Sequence, residues 1–475
     1  MKPFANIIAG EAVTLADIKP NINPSDTNDV VCEFACASTK DAEDAVAAAR
    51  AAFPAWSRTT AQVRSDILAK AGAEILARKD ELGQLLAREE GKTLPEATGE
   101  AARAGQILQF FAAEALRLQG EKLPSIRPGV DVEVTREPMG VVGMITPWNF
   151  PIAIPAWKIA PALAFGNTVV LKPAELTPAS AWHLVDILNR AGLPKGVLNL
   201  VMGKGSVVGP AIIAGVDALT FTGSVPTGRA IAQQAIGRML KIQMEMGGKN
   251  PMVVLDDADL DTAVNAAVNG AFFSTGQRCT ASSRLIVTEA IHDRFVEGVK
   301  KAMSALNVDN ALKQGVNMGP VVDEKQLETD LRYLEIGDRE GASREGGDRL
   351  NRETPGFYLS PALFTETHND MRINREEIFG PVASVIRVKN YDEALAVAND
   401  TEFGLSSGIC TTSLKHATHF KRNSEAGMVM VNTPTAGVDY HAPFGGRKAS
   451  SYGSREQGRY AAEFYTTVKT AYVNS

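Results

Sequence analysis

The residue best suited to nucleophilic chemistry is Cys279, which lies in a polar segment, Ser-Thr-Gly-Gln-Arg-Cys-Thr, at residues 274–280. A cysteine attacks a carbonyl carbon as the thiolate, so it needs a nearby base, a positive field or a helix N-terminus. Glu245, in the segment Met-Glu-Met-Gly-Gly-Lys-Asn, is the candidate base. A free cysteine is more often a small buried core residue. The surrounding segments must therefore decide whether Cys279 is catalytic.

Composition and charge limit the classes of function. The chain has 475 residues, which is too long for one simple core and predicts two or three domains. The formal net charge of −6 comes without a long basic run. This argues against nucleic acid or an anionic membrane as a partner. We expect a small-molecule substrate.

Cysteine and histidine usage indicates the compartment and argues against a metal. Four cysteines without a Cys-x-x-Cys pair are too few for a disulfide scaffold and indicate a reducing compartment. The N-terminus has no signal-peptide core, and no stretch of about 20 apolar residues is present. The six histidines are scattered without metal-ligand spacing. We expect a cytoplasmic protein with no membrane span and no metal.

The N-terminal part of the chain predicts hairpins, helices and an exposed ribbon. Residues 1–37 alternate β-like runs with turns. Amphipathic runs predict three helices, at 41–53, 61–90 and 96–118. Residues 123–137 alternate apolar and polar side chains with no room for a core. This segment predicts an exposed ribbon used for association.

From residue 141 short apolar runs alternate with helical stretches, which predicts a mostly parallel sheet. The predicted strands are 141–146, 168–171, 197–202, 218–221 and 242–244. Polar motifs at 146–149, 172–175 and 222–224 each follow one of these strands. Because ligands bind beyond the carboxyl ends of such strands, the motifs predict one site. The glycines at 203–209 fit a phosphate fingerprint poorly, and a plain turn is an equal interpretation.

A second series of alternating strands and helices begins after residue 250. The predicted strands are 252–255, 283–287, 383–388, 406–410 and 428–431. Predicted helices lie at 260–273, 292–306, 391–399 and 414–425. The charged, glycine-containing stretch 339–347 predicts a solvated loop. The fold class is therefore α/β, with two parallel-sheet domains.

Seven motifs in order resemble the NAD(P)-dependent aldehyde dehydrogenase family over nearly the whole chain. They are Thr-Pro-Trp-Asn-Phe-Pro (146–151), Lys-Pro-Ala-Glu (172–175), Phe-Thr-Gly-Ser (221–224), Glu-Met-Gly-Gly-Lys-Asn (245–250), Gly-Gln-Arg-Cys (276–279), Glu-Glu-Ile-Phe-Gly-Pro (376–381) and Pro-Phe-Gly-Gly (443–446). The resemblance implies a cofactor domain (1–120 and 138–247), a catalytic domain (248–450) and an oligomerisation arm (121–137 and 451–475). A homodimer or homotetramer is implied.

The resemblance also implies the chemistry. Cys279 would attack the aldehyde, and Asn149 with the backbone N–H of Cys279 would hold the oxyanion. Hydride transfer would leave a thioester, which water activated by Glu245 would hydrolyse to the free acid. A binding or structural protein on the same fold is an alternative, since fold alone does not imply activity. The presence of all three residues argues against that alternative.

The same resemblance assigns cofactor residues. They are Lys172 and Glu175 at the adenine ribose, Trp148 on the adenosine side, Gly223 and Ser224 at the pyrophosphate, and Glu377 and Phe379 at the nicotinamide. A carboxylate at Glu175 favours NAD over NADP because it repels a 2′-phosphate. A structural alternative for Glu175 is an acid paired with a helix N-terminus. Lys204 leaves NADP use open.

The substrate residues implied are Phe150, Trp157, Arg278 and Phe444, with plain packing as the alternative for the three aromatics. Segments around Cys279 and at 451–470 resemble dehydrogenases of 2,5-dioxopentanoate (α-ketoglutaric semialdehyde). Arg278 would bind the substrate carboxylate or, alternatively, point into the structure or tune the thiolate. Succinic or glutaric semialdehyde and broad or aromatic aldehydes are the rival substrates. Ser451, where the family pattern commonly has glycine, is interpreted as a packing variant.

Overall fold

The computed structural model describes residues 3–474, which form two large sheets, a three-stranded ribbon and a hairpin. Within these residues the strands are β1 (Asn6–Ile8), β2 (Glu11–Val13), β3 (Ile18–Asn23), β4 (Asp26–Ala35), β5 (Glu121–Pro124), β6 (Val130–Pro138), β7 (Val141–Ile145), β8 (Thr168–Lys172), β9 (Leu198–Leu200), β10 (Ala218–Thr222), β11 (Lys241–Glu245), β12 (Asn250–Val254), β13 (Ser282–Thr288), β14 (Ser343–Gly346), β15 (Ala362–Thr367), β16 (Val382–Val388), β17 (Ser406–Cys410), β18 (Met428–Val431), β19 (Ser451–Tyr452) and β20 (Thr466–Asn474). The expected α/β fold with two parallel-sheet units is confirmed.

Helices flank both large sheets. In chain order the α-helices of the described residues are α1 (Thr39–Trp56), α2 (Ala61–Ala77), α3 (Lys79–Glu90), α4 (Leu94–Ala115), α5 (Ala153–Ala164), α6 (Pro178–Arg190), α7 (Gly205–Gly215), α8 (Val225–Ile236), α9 (Leu260–Phe272), α10 (Glu289–Ser304), α11 (Glu324–Arg339), α12 (Arg372–Arg375), α13 (Tyr391–Asn399), α14 (Leu414–Asn423) and α15 (Ala462–Tyr465). The one long helix expected over 61–90 is wrong, because the chain leaves helical geometry at Arg78 (φ −105°, ψ 14°). Both halves pack on α4, so the apolar pattern continues through the break.

The first sheet has the strand order β2-β1-β9-β8-β7-β10-β11-β19. Strands β7 to β11 are parallel; β19 pairs antiparallel with β11, β1 pairs antiparallel with β9, and β2 pairs antiparallel with β1. The apolar runs predicted as strands are buried on both faces because helices cover the sheet. All five predicted strands of this series are present, with shifted ends.

The second sheet has the order β14-β15-β16-β13-β12-β17-β18, with only β14 antiparallel to its neighbour. The five predicted strands of this series form its centre and one edge. The solvated loop predicted over 339–347 is wrong in part, because β14 pairs with β15 there. Its charged side chains remain exposed, as is common on an edge strand that must avoid further pairing.

The ribbon consists of β5, β6 and β20, which pair antiparallel. It therefore joins the two segments expected to form an association arm, and most of its side chains are exposed. Residues 451–452 do not belong to this ribbon. They form β19, which pairs with β11 at the edge of the first sheet. That part of the expected arm is corrected, and the pairing brings Ser451 opposite Glu245.

The chain crosses from the first sheet to the second between β11 and β12. Strand β11 ends at Glu245, and β12 begins at Asn250 after the double glycine. Cys279 immediately precedes β13, which pairs parallel with β12. The carboxyl end of the first sheet therefore meets the amino end of the second, and the candidate base and nucleophile both lie at this junction.

Candidate active site

The loop before Cys279 has an unusual backbone. Ser274, Thr275 and Gly276 all have left-handed φ angles, of 52°, 56° and 67°. This conformation is costly for a β-branched threonine and persists only where surrounding contacts enforce it. A side chain at Gly276 would overlap the carbonyl oxygen of Gly380, so glycine is required there. The strained turn ends α9 and presents Cys279 at the sheet junction.

Contacts from distant segments hold this turn. Glu96 accepts hydrogen bonds from the backbone N–H and the hydroxyl of Ser274, at 2.8 and 3.0 Å. Its other carboxylate oxygen caps α4 through Thr93, at 2.8 Å from the hydroxyl. Thr275 donates to the carbonyl of Gly319 at 3.1 Å. Glu96 therefore ties the nucleophile loop to the start of α4.

Two asparagine side chains donate hydrogen bonds to backbone carbonyls of the loop around Cys279. Asn149 Nδ2 donates to the carbonyl of Gln277 at 3.0 Å, which leaves its second N–H for another acceptor. Asn250 Nδ2 donates to the carbonyls of Cys279 and Ala281, at 2.8 and 2.9 Å. The structure thus brings Asn149 to the cysteine loop, as an oxyanion donor requires.

Asn149 is itself held by a buried charge pair. Lys92 Nζ donates to the backbone carbonyl of Asn149 and to the Glu100 carboxylate, each at 2.7 Å. Glu100 in turn accepts from the backbone N–H groups of Ile152 and Ala153, at 3.2 and 3.1 Å. Helix α4 therefore fixes the segment that carries Asn149.

The environment of Cys279 favours the thiol. Burial, followed by the negative charges of Glu245, Glu377 and Glu456, raises the pKa of Cys279 to about 12. Its own backbone N–H lies close to the sulfur and opposes this rise only in part. Of the three aids to thiolate formation named above, the charges that act on Cys279 do not provide a positive field, because the three carboxylates disfavour the thiolate.

Glu245 is buried beside Cys279 and Ser451. The Ser451 hydroxyl donates to its carboxylate at 2.6 Å. Burial and the neighbouring Glu456 carboxylate raise the pKa of Glu245 well above its usual range, against the opposing effects of Ser451, Lys158 and Arg455. A raised pKa makes the ionised carboxylate a stronger base but lowers the fraction of Glu245 that is ionised at a given pH.

Trp157 and Lys158 both contact Glu456. Trp157 Nε1 donates to the Glu456 carboxylate at 2.8 Å, while its ring packs on Phe444 with the centroids 5.6 Å apart. Lys158 pairs with the same carboxylate and donates to the Thr220 hydroxyl at 2.6 Å. Lys158 is therefore bonded to Glu456, and it acts on Glu245 through charge rather than contact.

The other two candidate substrate residues have different surroundings. Phe150, next to Asn149, lies with its ring centroid 3.9 Å from Lys92 Nζ and is only partly buried. Arg278 donates through Nη2 to the carbonyl of Asn269 on α9, and its Nε has no hydrogen-bond partner within residues 3–474. A guanidinium with unused N–H donors can still accept an anionic ligand.

The adenine-ribose candidates follow β8. Burial lowers the pKa of Lys172, whose ammonium lies over Gly205 at the start of α7. Glu175 pairs with Lys19 at 3.4 Å and is partly exposed. The N-terminal N–H groups of α6 are instead bonded by Glu89, so the helix-terminus alternative for Glu175 is not supported.

The remaining cofactor candidates lie at two turns. Gly223 and Ser224 follow β10 and lead into α8, and a β-carbon on Gly223 would lie 2.6 Å from the Phe221 ring. Glu377 accepts from the backbone N–H of Gly248 at 2.8 Å, and burial raises its pKa to about 7. A side chain at Gly247 would overlap that carboxylate. Internal packing therefore requires glycine at both positions.

Trp148 contacts a second aromatic side chain of the candidate cofactor site. Its ring meets Phe379 edge to face, with the centroids 5.4 Å apart. Phe379 was assigned to the nicotinamide end, so the two aromatics border the same region. The Trp148 carbonyl also accepts a hydrogen bond from the Thr177 hydroxyl at 3.5 Å, two residues after Glu175, so its assignment to the adenosine side stays a prediction.

Together these residues form a site for cysteine-dependent oxidation of a carbonyl group on a two-sheet α/β scaffold. The profile of the Aldehyde dehydrogenase family matches residues 14–471, and the chain belongs to this family. The expected family membership and enzyme class are confirmed.

Relatives and solved structures agree with this assignment over the full length. The alpha-ketoglutaric semialdehyde dehydrogenase of Bacillus subtilis is 45% identical over 99% of this chain and 98% of its own. The 2,5-dioxopentanoate dehydrogenase of Saccharolobus solfataricus is 42% identical over 95% of both chains. The structure of an NAD-dependent aldehyde dehydrogenase from Sinorhizobium meliloti superposes with a TM-score of 0.97 at 36% identity, covering 100% of this chain and 95% of that one.

Several site residues were missed by sequence reasoning. Glu96 carries a local signal, since Thr93 and Glu96 have the spacing of a capping box, but the pattern does not reveal its second contact with Ser274. Asn250 and Glu456 lie within quoted motifs yet were given no role. Ser451 was interpreted as a packing variant, whereas it bonds to Glu245. Separately, none of the helices within residues 3–474 is long and apolar enough to cross a membrane.

Proposed function

We propose that this protein oxidises 2,5-dioxopentanoate to 2-oxoglutarate with NAD, through a thioester on Cys279. The observation that carries the proposal is full-length similarity, above 40% identity, to two enzymes named for this substrate. The arrangement of Cys279, Asn149 and Glu245 at the sheet junction supports the reaction type.

The first step forms a bond between the Cys279 sulfur and the aldehyde carbon, and the thiol proton passes to solvent water. The aldehyde oxygen takes the negative charge, and the free N–H of Asn149 with the backbone N–H of Cys279 donates to it. These donors are preorganised, because the loop is fixed by Glu96 and Asn250 before substrate arrives. The raised pKa of Cys279 means that the thiolate must form only as the site fills.

The cofactor residues supply binding and orientation. Lys172 and Glu175 would hold the adenine ribose, Gly223 and Ser224 the pyrophosphate, and Glu377 with Phe379 the nicotinamide ribose and ring. NAD, when bound, accepts the hydride that leaves the substrate carbon. Loss of that hydride leaves a thioester on Cys279. A carboxylate at Glu175 favours NAD over NADP.

Glu245 completes the turnover. It takes a proton from water as the water oxygen bonds to the thioester carbon, and the carbon–sulfur bond then breaks. The products are the free carboxylic acid and the regenerated Cys279 thiol. Since a buried carboxylate with a raised pKa takes up protons readily, this assignment fits the surroundings of Glu245.

The substrate carboxylate is assigned to Arg278. Nε of Arg278 is buried without a partner within residues 3–474, so the guanidinium has donors left for an anion. Phe150, Trp157 and Phe444 would line the path that leads to Cys279. Trp157 and Phe444 also pack on each other, so their walls would be rigid.

The test is initial-rate NADH formation with 2,5-dioxopentanoate, succinic semialdehyde and benzaldehyde, each with NAD and NADP. We expect the highest kcat/KM with 2,5-dioxopentanoate and NAD, and no turnover in Cys279→Ala. Faster oxidation of benzaldehyde would contradict the substrate assignment while leaving the family chemistry intact. Turnover in Cys279→Ala would overturn the mechanism.

Arg278→Ala tests recognition of the carboxylate. We expect kcat/KM for the semialdehyde to fall about a hundredfold more than for benzaldehyde, since a charge-assisted hydrogen bond is lost. Arg103→Ala is the matched control, because Arg103 likewise donates to one carbonyl oxygen, that of Val438. Equal losses on both substrates in Arg278→Ala, or a selective loss in Arg103→Ala instead, would overturn the role of Arg278.

The compartment and assembly state also belong to this proposal. Four free cysteines fit a reducing cytoplasm. The ribbon exposes apolar side chains, including Leu123, Ile126, Val468 and Tyr472, which favours a homo-oligomer. Light scattering would test this by comparing the molar mass of the wild type with that of Val468→Glu. A monomeric wild type would contradict it.

A further inference from the structure

Ser451 occupies a position that only the pairing of two distant segments creates. Strand β19 consists of two residues and pairs antiparallel with β11, so that Ser451 lies opposite Glu245 and Tyr452 opposite Met244. This pairing, together with hydrogen bonds from Gln243 to the carbonyls of Ser454 and Arg455, brings together two segments 206 residues apart. The serine hydroxyl is therefore placed directly against the candidate base.

The direction of the hydrogen bond is fixed by a second donor. The backbone N–H of Gly446 donates to Ser451 Oγ at 2.6 Å, so the hydroxyl oxygen already accepts one hydrogen bond. The hydroxyl proton is then directed to the Glu245 carboxylate, also at 2.6 Å. A chain of donors, from Gly446 through Ser451, thus ends on Glu245 and favours its ionised form.

The other charges near Glu245 do not replace this contact. The neighbouring Glu456 carboxylate disfavours a second negative charge on Glu245. Lys158 acts on Glu245 through charge, but its ammonium is bonded to Glu456 and Thr220. Arg455 also acts through charge, while its Nη1 donates to the carbonyl of Gly446. Cys279 also lies within the electrostatic influence of Glu245, and its raised pKa favours the neutral thiol.

We propose that Ser451 is a positioning residue that keeps Glu245 ionised and oriented for hydrolysis of the thioester. The inference rests on the proposed role of Glu245 as the base. A glycine at this position, as in the common family pattern, has no hydroxyl and leaves the carboxylate without this donor. Ser451 thereby speeds the release of the free acid and does not take part in the formation of the thioester.

The test separates the two halves of the reaction. In Ser451→Ala we expect the first-turnover rate of NADH formation to be unchanged and the steady-state rate at pH 7 to fall several-fold, because loss of the hydroxyl donor raises the pKa of Glu245 further and less of the base is ionised. The acid limb of the steady-state pH profile should move to higher pH. Mass spectrometry of quenched enzyme should find more acylated Cys279 than in the wild type. Ser451→Thr, which keeps the hydroxyl, should restore the rate.

Ser450→Ala is the matched control. Ser450 is the adjacent buried residue, and its hydroxyl accepts from the backbone N–H of Gly404 at 3.0 Å instead of contacting Glu245. Ser450→Ala should leave the pH profile unchanged. Comparison with this variant separates the loss of the hydrogen bond to Glu245 from any general effect of repacking at this sheet edge. Thermal denaturation of each variant confirms that the compared proteins are folded.

Two results would overturn the inference: a wild-type pH profile in Ser451→Ala, or an equal shift of that profile in Ser450→Ala. Failure of the underlying function gives a different result, because Glu245→Gln would then hydrolyse the thioester normally. If Glu245→Gln is deficient and Ser451→Ala is not, Glu245 keeps its role and only the role of Ser451 falls. The measurements use whichever aldehyde the wild type oxidises fastest.

Discussion

The loop around Cys279 and the surroundings of Glu245 differ in how many hydrogen bonds hold them. The loop around Cys279 is held by side chains from α4, the β7–α5 connection and the start of β12. Glu245 instead accepts one side-chain hydrogen bond, from the Ser451 hydroxyl, and its pKa is set by burial and by the charges of Glu456, Lys158 and Arg455. The attacking sulfur needs a fixed position, and the base needs a pKa that lets it change protonation state. The several hydrogen bonds to the loop fix the position of the sulfur, whereas Glu245, with one such bond, has a pKa that responds to the charges around it.

The largest expected effect comes from removing the charge at Glu245. Glu245→Gln should lower the steady-state rate roughly 10²–10³-fold, because general base catalysis of hydrolysis is lost. Its first turnover should still produce one equivalent of NADH per active site, measured by stopped flow. An unchanged steady-state rate would mean that the base lies elsewhere and that the contrast between the two regions is false.

A smaller effect is expected from loosening the loop. Glu96→Ala removes the acceptor of the Ser274 N–H and should lower kcat about a hundredfold, as expected for displacement of a reacting group by about 1 Å. Thr93→Ala is the control, since it disrupts the same helix cap without touching the loop. It should cost about 1 kcal/mol of stability with little loss of kcat, measured by denaturation and steady-state kinetics. Equal loss of kcat in both variants would assign the effect to the helix.

The smallest effect concerns the protonation of the thiol. Since the pKa of Cys279 is raised to about 12, alkylation by iodoacetamide without cofactor should accelerate about tenfold per pH unit from pH 7 to 9, with no plateau. Glu245→Gln removes a negative charge that raises this pKa, so alkylation at a given pH should be faster in that variant. Peptide mapping verifies the labelled cysteine. A plateau below pH 9 in the wild type would contradict the raised pKa.

The sequence predicts the site where chemistry depends on residue type and local motif. Cys279, Glu245 and Asn149 are distinguished by their motifs, and the structure brings their segments together. Most strands of both sheets are also predicted, because buried parallel strands are continuous apolar runs. The break at Arg78 was missed because both helices keep their apolar faces on α4.

Contacts between distant segments could not be predicted in this way. The role of Ser451 depends on the two-residue strand β19, which has no periodicity that a sequence could reveal. Likewise, the cap residue Glu96 has a recognisable spacing, but its bond to Ser274 spans 178 residues. Glu96 bonds both Thr93 and Ser274 because α4 packs against the loop that precedes β13.

The left-handed turn at residues 274–276 ties activity to the integrity of the whole molecule. Its partners lie in segments of both sheets, so the turn can hold its conformation only when the two units are docked. When any of these hydrogen bonds breaks, the strained left-handed backbone of the turn is free to relax. Under increasing denaturant, loss of turnover should therefore precede loss of secondary structure, since local opening needs less free energy than global unfolding. The enzyme would then lose its activity while most of its secondary structure is still intact.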